Sequence, residues 1–443
     1  MANEKLASLG YLKIGKEATR GVAVFAPVDV PLYSETIFPK LNLQTNNPII
    51  GNPFGVYNIF PGQRDHQGDL VIMAEPKTLP HFLQMLLDRV STTPNGSGVY
   101  THLFKLGSPN ASEASYTIDI LKGDIVHRFY GCEIDSLAPE WNNDADMRLK
   151  LTISALGQVS IVPIASGATT SITLDTSYDP APGKGLVVGD TLTIVHVVNG
   201  VQSTTEAATI AAISSDYLTL TVSTLSGSYS SGDYLYIAKR TVSPNIGTPF
   251  NWSRTEFRFG STALAALSAT HTPLEKGSVF EIKNNFEDNK GARRSGSYDP
   301  VSLVRKQGDA TLTVKKFFND GIELNDFLKI NKRACVIRMF GSLISGTTFN
   351  ELQITFNNMK VMESPDPLTA GDIIYLNQKL QPQYDTTDQQ ALSISVINSV
   401  SDYTVSGVPS SASSSASPSI SPSASVSPSA SKSPSASPSV SPS

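Results

Sequence analysis

The sequence predicts a mainly β protein with few helices: two duplicated antiparallel sandwich or barrel domains, a small inserted β domain and a disordered tail. Three observations carry that reading. Short alternating segments separated by Gly, Pro, Asn and Asp dominate the chain up to residue 405, only two stretches show helical spacing, and one order of elements occurs twice.

In the first half, Thr36–Leu41 (TIFPKL) reads as a strand, followed by a long polar loop from Asn42 to Tyr57. Gln67-Gly68-Asp69 reads as a turn before the strand Leu70–Met73. Thr78–Val90 (TLPHFLQMLLDRV) sets Leu79, Phe82, Leu83, Leu86, Leu87 and Val90 at helical spacing, with Thr78 as the cap. Tyr116–Leu121, the turn Lys122-Gly123-Asp124 and Ile125–Tyr130 form a hairpin. In Arg148–Ala155 (RLKLTISA) the apolar Leu149, Leu151, Ile153 and Ala155 alternate with Arg148, Lys150, Thr152 and Ser154, the period of a half-buried strand.

The second half repeats this order. Ser278–Lys283 (SVFEIK) is a strand, Asn284–Tyr298 a long loop, and Gln307-Gly308-Asp309 a turn before the strand Ala310–Val314. A helix follows at about Ile322–Ile330, with Leu324, Phe327 and Leu328 apolar, then two strands and a final alternating strand, Ala391–Ile397. The shared order is harder to reach by chance than the tripeptide alone, and it predicts a duplication. Both helices are amphipathic, so each should lie on a sheet.

Between the halves, Ser166–Arg240 is rich in Thr, Val, Ser and Gly and has its own strands at Ser171–Leu174, Thr191–Val198, Thr204–Ile213, Tyr217–Val222 and Tyr234–Ile237. Its size suits one small barrel or sandwich, displayed on the outside. From Ser406 onward Ser-Pro-Ser recurs with Lys432 as the one charged side chain, and such a segment lacks both the apolar groups and the ladder donors for a core. The predicted boundaries are 1–165, 166–240, 241–405 and 406–443.

Charged residues make up 16% of the 443, against about 25% in average globular chains. A net charge of −5 excludes a polybasic chain that wraps nucleic acid, although a sliding contact with DNA stays open. Cys132 and Cys335 belong to no CxxC pair and read as core thiols. The start has no apolar signal region and no stretch has about 18 continuous apolar residues, so the expected product is soluble and made in a cytoplasm. Motifs of zinc proteases, serine hydrolases and phosphate-binding loops are missing, and the six histidines do not pair at metal-ligand spacing, so no enzyme, cofactor or metal site is expected. Asp144 and Asp146 in NNDADM lack the glycine and glutamate of a calcium loop. One basic cluster stands out, Lys290, Arg293 and Arg294 with Arg305 and Lys306 after it. It reads as an arm that pairs with acids on a neighbouring subunit, as a solvated loop tip or, last in rank because it has no interleaved aromatics and the chain is acidic, as a DNA-phosphate contact.

Three strings carry a family resemblance: GYLKIGKEATRGVAVFAP (Gly10–Pro27), FYGCEIDSLAPEWNNDADMRLKLTISALGQ (Phe129–Gln158) and SVFEIKNNFEDNKGARRSGSYDPVSLVRKQGDATLTVKKFFND (Ser278–Asp320). In their order of strand, loop and turn they resemble bacteriophage tail tube proteins of long non-contractile tails, over most of 1–165 and 241–405. The resemblance implies a non-enzymatic virion protein, assembled in the host cytoplasm, whose sheets join those of its neighbours into a β-barrel around a channel for DNA ejection. It implies partners as well: other copies, tail terminator, tape measure and baseplate or tip proteins, and the DNA in transit, with no membrane. Two fused tube domains imply a homotrimeric ring, the alternative being a hexamer. By position, Asn42–Tyr57 and Asn284–Tyr298, with Lys290, Arg293 and Arg294, would contact the next ring, and the lumen strands should be polar or acidic. The same features leave two rivals: the inner tube of a contractile tail or type VI secretion system, and a carbohydrate-binding tail-fibre or surface protein.

Overall fold

The computed structural model describes residues 9–46, 58–106, 114–141, 146–177, 179–243, 247–275, 277–287, 298–317, 322–364, 375–386 and 388–403. Tyr57, Asp144, Lys290, Arg293, Arg294 and the Ser/Pro tail lie outside the described residues. The first half carries β1 (Leu12–Lys16), β2 (Val28–Val30), β3 (Leu32–Glu35), β4 (Phe38–Leu41), β5 (Gln44–Asn46), β6 (Asn58–Phe60), β7 (Arg64–Met73), α1 (Leu79–Leu86), β8 (Asp88–Pro94), β9 (Tyr100–Leu106), β10 (Tyr116–Lys122), β11 (Ile125–Trp141), β12 (Met147–Ser154) and β13 (Gly157–Val159). A middle group follows: β14 (Ile161–Ala168), β15 (Ser171–Leu174), β16 (Thr191–Val198), β17 (Val201–Ile213), β18 (Thr219–Val222), β19 (Ser228–Ser230) and β20 (Tyr234–Ile237). The second half has β21 (Thr255–Gly260), α2 (Ala263–Ser268), β22 (Val279–Lys283), β23 (Asp309–Phe317), α3 (Ile322–Leu328), β24 (Arg333–Ser345), β25 (Thr348–Glu363), β26 (Tyr375–Pro382) and β27 (Leu392–Asn398). The protein is mainly β with antiparallel sheets, as the alternation predicts.

The two halves pair their strands in the same order. In the first, β10 joins β1 to β11, β11 pairs with β13 and β12, and β12 pairs with β7, which carries β3 and β4. In the second, β24 joins β21 to β25, β25 pairs with β27 and β26, and β26 pairs with β23, which carries β22. This order changes two sequence-based matches. The counterpart of β12 is β26 rather than the strand at 391–397, because β26 takes the place between β25 and β23. The strand expected at Thr36–Leu41 begins at Phe38 as β4, and Thr36 and Ile37 are the crossing between β3 and β4, forced where the chain passes over Gly68: a Cβ there would lie 2.5 Å from the Ile37 Cα and from the Thr36 carbonyl oxygen.

Gln67, Gly68 and Asp69 are therefore strand, not turn: they pair with Ser154, Ile153 and Thr152 as the last three rungs of the β7–β12 ladder. Gln307 and Gly308 do lead into a strand, which begins at Asp309. Asp69 accepts a hydrogen bond from the Thr152 hydroxyl at 2.9 Å and pairs with Lys150 at 3.1 Å, while Asp309 accepts one from Gln381 on β26. In both halves the aspartate ties its strand to the next one.

The helix expected at 78–90 stops at Leu86. All eight of its residues are buried, Leu87 is extended, and Asp88 begins β8, which pairs with β9. Cross-strand pairing overrides the helical spacing there, as it can for β-branched sequence such as Val90-Ser91-Thr92-Thr93. Thr78 makes no side-chain cap bond to the helix; its hydroxyl donates to Glu75 instead. Helix α2, which periodicity missed, has only six residues and is capped by Thr262, whose hydroxyl accepts from the Ala265 amide.

On the buried face of α1, His81 faces the Tyr116 hydroxyl at 3.2 Å and meets the rings of Tyr116 and Tyr403 edge-on. Burial, with a smaller push from Lys16, lowers its pKa from 6.5 to about 4. The folded protein holds the ring neutral while the unfolded chain takes up a proton, so this stability is complete above pH 6.5 and lost as pH falls from 6.5 towards 4. Replacing His81 with Phe should flatten the acid limb of stability against pH, the wild type losing on the order of 3 kcal/mol more than the variant between neutral pH and the folded-state pKa. Urea titrations at a series of pH values measure the difference, and parallel acid limbs would contradict it.

The middle group closes on itself: β14–β15–β18–β17–β16–β20 returns to β14 as a six-stranded barrel, with β19 added on β14. Its apolar interior, including Ile164, Ile172, Leu192, Ile194, Leu220 and Leu235, is continuous with Tyr11, Leu121, Val126 and Val159 of the first half. An ion cluster fastens the two together. Arg128 on β11 is fully buried and donates to Asp119 on β10 at 2.7 and 3.0 Å, to Asp190 at the start of β16, and to the Gly185 carbonyl at 3.3 Å. Arg240, leaving the barrel, pairs with the same Asp119.

Candidate assembly surfaces

The strands of the two halves meet edge to edge. Ser136 and Leu137 of β11 pair with Lys283 and Ile282 of β22, so the sheet runs β3/β4–β7–β12–β11–β22–β23–β26–β25 without a break. Its inner face holds Leu70, Leu149, Leu151, Ile282, Leu312 and Leu380 in one core shared by both halves. A second bridge is the hairpin β8–β9, whose β9 pairs along the full length of β27.

The described ends of the second-half loop seal this joint. Asn284 is buried and donates from its side chain to the carbonyls of Leu86 at 3.1 Å and Ile134 at 2.8 Å, and its amide donates to the Asp135 carbonyl at 2.7 Å. Arg305 donates to the Met85 carbonyl at 3.0 Å and pairs with Glu133, which Arg20 also reaches. The Tyr298 carbonyl accepts from the Arg64 amide at 2.8 Å, and Asp299 meets His66 at 2.9 Å. Asn284 and Tyr298, expected in a loop that reaches the next ring, thus make contacts between the halves of one chain. Arg305 finds its acid within the chain too. Asn42, the matching residue of the first half, donates to the Gln63 carbonyl and to Asp65, both at 2.9 Å, and holds the base of a ribbon formed by β5 and β6.

Below the joint, Glu17 sits in a cradle between β1, β10 and β11. Its carboxylate accepts from the Gly21 amide (2.8 Å), the Ser115 hydroxyl (2.6 Å), the Thr117 hydroxyl (2.9 Å) and the Gly131 amide (2.7 Å). Burial pushes its pKa up, and these four donors pull it back. Neither this cradle nor the Arg128 cluster was visible in the sequence.

Among the described residues both ends of the eight-strand run are open. The outer side of β3 and β4 has no strand partner. On β25, the ladder to β24 ends at Arg333–Met359 and leaves Lys360–Glu363 unpaired on that side. Large apolar side chains lie exposed beside both ends: Phe38, Leu41, Leu43, Ile59 and Phe60 at one, Leu328, Ile330 and Met362 at the other. Open edges next to apolar side chains invite pairing, and here Pro39 and Lys40 on β4 and Lys360 and Glu363 on β25 blunt them in part. The chain belongs to the phage tail tube protein family: residues 7–268 match the family's sequence profile, from before β1 through the barrel to the end of α2. No curated protein matches the chain. No helix among the described residues is long and apolar enough to cross a membrane.

Proposed function

We propose that the chain assembles into stacked rings of three, the tail tube that conducts DNA into the host, as a virion protein of a long non-contractile tail. One observation carries this reading: the run β3–β7–β12–β11 is followed, in the same pairing order and through an edge-to-edge joint, by β22–β23–β26–β25. A joint that links two like units head to tail leaves complementary ends, and repeating it between chains closes a ring. Each half then counts as one tube domain, the division at 1–165 and 241–405, and three chains supply six. The barrel strands at 161–237 decorate the outside. Assembly takes place in the bacterial cytoplasm, and the tube ends meet terminator, tape measure and baseplate or tip proteins.

The sheet face away from the core would line the channel. It carries Asp69, Glu140, Glu281 and Asp309 among Arg148, Lys150, Lys283, Lys315 and Lys379, so it is polar and of mixed sign rather than acidic. Lys150–Asp69 and Lys283–Glu281, at 3.1 and 2.9 Å, set cation beside anion, which limits the grip of the lysines on passing phosphates.

Negative-stain microscopy of the purified full chain tests the reading: rings or tubes with three chains per ring are expected. Persistent monomers at high concentration that bind glycans would overturn it in favour of a surface-binding protein. Six full chains per ring would refute the division into two tube domains.

A further inference from the structure

In the first half the end of helix α1 is covered. Met85, Leu86 and Leu87 are buried, and the carbonyls of Met85 and Leu86 accept from Arg305 and Asn284 of the loop that follows β22. In the second half the corresponding end of α3 is bare: Leu328 is 71% and Ile330 62% exposed, and no described segment lies over them. The counterpart of the loop after β22 is the arm after β3, which contains β4, β5 and β6. That arm exposes its own apolar side chains, with Phe38 at 66%. It does not cover α3 of its own chain, because α3 lies on β25, at the far end of the run from β3. With strands about 4.8 Å apart, seven steps separate the two ends by roughly 30 Å.

We propose that the β4–β6 arm of a second copy of this chain covers the bare end of α3, repeating between chains the contact that the second-half loop makes on α1 within the chain. This rests on the ring reading above and adds its outer, lateral contact. Both surfaces carry exposed large apolar side chains, Phe38 and Leu41 on one and Leu328 and Ile330 on the other, and the contact continues an interface already formed in the chain. The Ser/Pro tail is a poor substitute, since Val408, Ile420, Val426 and Val440 are its only large apolar residues after Ser406.

Cross-linking tests the contact. Full-length Leu41→Cys chains are mixed with full-length Ile330→Cys chains, allowed to assemble, and treated with a short bismaleimide; Cys132 and Cys335 are fully buried and contribute no background. Covalent dimers are expected in the mixture and not in either variant alone. If the mixture forms rings or tubes but yields no dimers, or if either variant alone cross-links as well as the mixture, the lateral contact is wrong and the ring reading stands. If the wild type itself never assembles, both fail. As a second readout, Phe38→Asp and Ile330→Asp should each keep the wild-type circular dichroism spectrum but run as monomers. Tubes formed by either at wild-type yield would overturn the proposal.

Discussion

Replacing Arg128 with Ala should be the most damaging single change in the barrel region. Arg128 and Asp119 are fully buried and Asp190 nearly so, and the guanidinium bridges both carboxylates across the junction between β10, β11 and the barrel. Removing it leaves buried carboxylates without their main partner, with Arg240 still on Asp119 alone. Breaking a buried pair in this way costs about 3–5 kcal/mol, against less than about 1 kcal/mol for an exposed pair such as Lys150–Asp69. The expected result is a lowered thermal midpoint together with early proteolytic cleavage between residues 161 and 237, while Lys150→Ala behaves like wild type. Equal midpoints for Arg128→Ala and Lys150→Ala would show that the cluster does not fasten the barrel.

Gly68→Ala and Gly308→Ala should differ sharply although the two glycines hold the same place in the repeated tripeptide. At Gly68 the new methyl group would strike backbone, the Ile37 Cα, the Thr36 carbonyl and the Ile37 amide, none of which can move without displacing the crossing from β3 to β4. Overpacking against fixed atoms of this kind costs roughly 3 kcal/mol. At Gly308 the nearest atom is the end of the Leu106 side chain at 3.1 Å, which can turn aside, and the loss of glycine's unfolded-state freedom offsets part of the strain. The expected change there is within about 1 kcal/mol. Chemical denaturation of the two variants distinguishes them, and equal losses would remove the account of Gly68 as a crossing point. Because Gly68 sits at the open β3/β4 end, its variant should also assemble poorly even where it remains folded.

Much of the fold was legible in the chain. Period-two alternation located β12, β15, β16, β20 and β10 close to their observed limits, since a half-buried strand must alternate whatever its neighbours are, whereas β11 starts at the expected Ile125 but runs on past Tyr130 to Trp141. The Gln-Gly-Asp pair marked β7 and β23, which do occupy like places in the two pairing orders. The assembly surfaces were less legible. Asn284 was marked as a loop residue, and its burial under the carbonyls of α1 and β11 depends on residues some 150 and 200 positions away in the chain.

The sequence by itself determined the fold class, the two helices of the repeat and the absence of a polybasic character, because each follows from local spacing or from composition. Only the tertiary structure decided which strands are neighbours. Alternation says that a strand has a buried face but not whose edge it meets, so the joint of β11 with β22, the pairing that turns Asp88–Val90 from helix to strand, and the ion cluster around Arg128 all arise from contacts between distant segments. The same limit placed the open ends of the eight-strand run, from which the ring is inferred, beyond the reach of any local pattern.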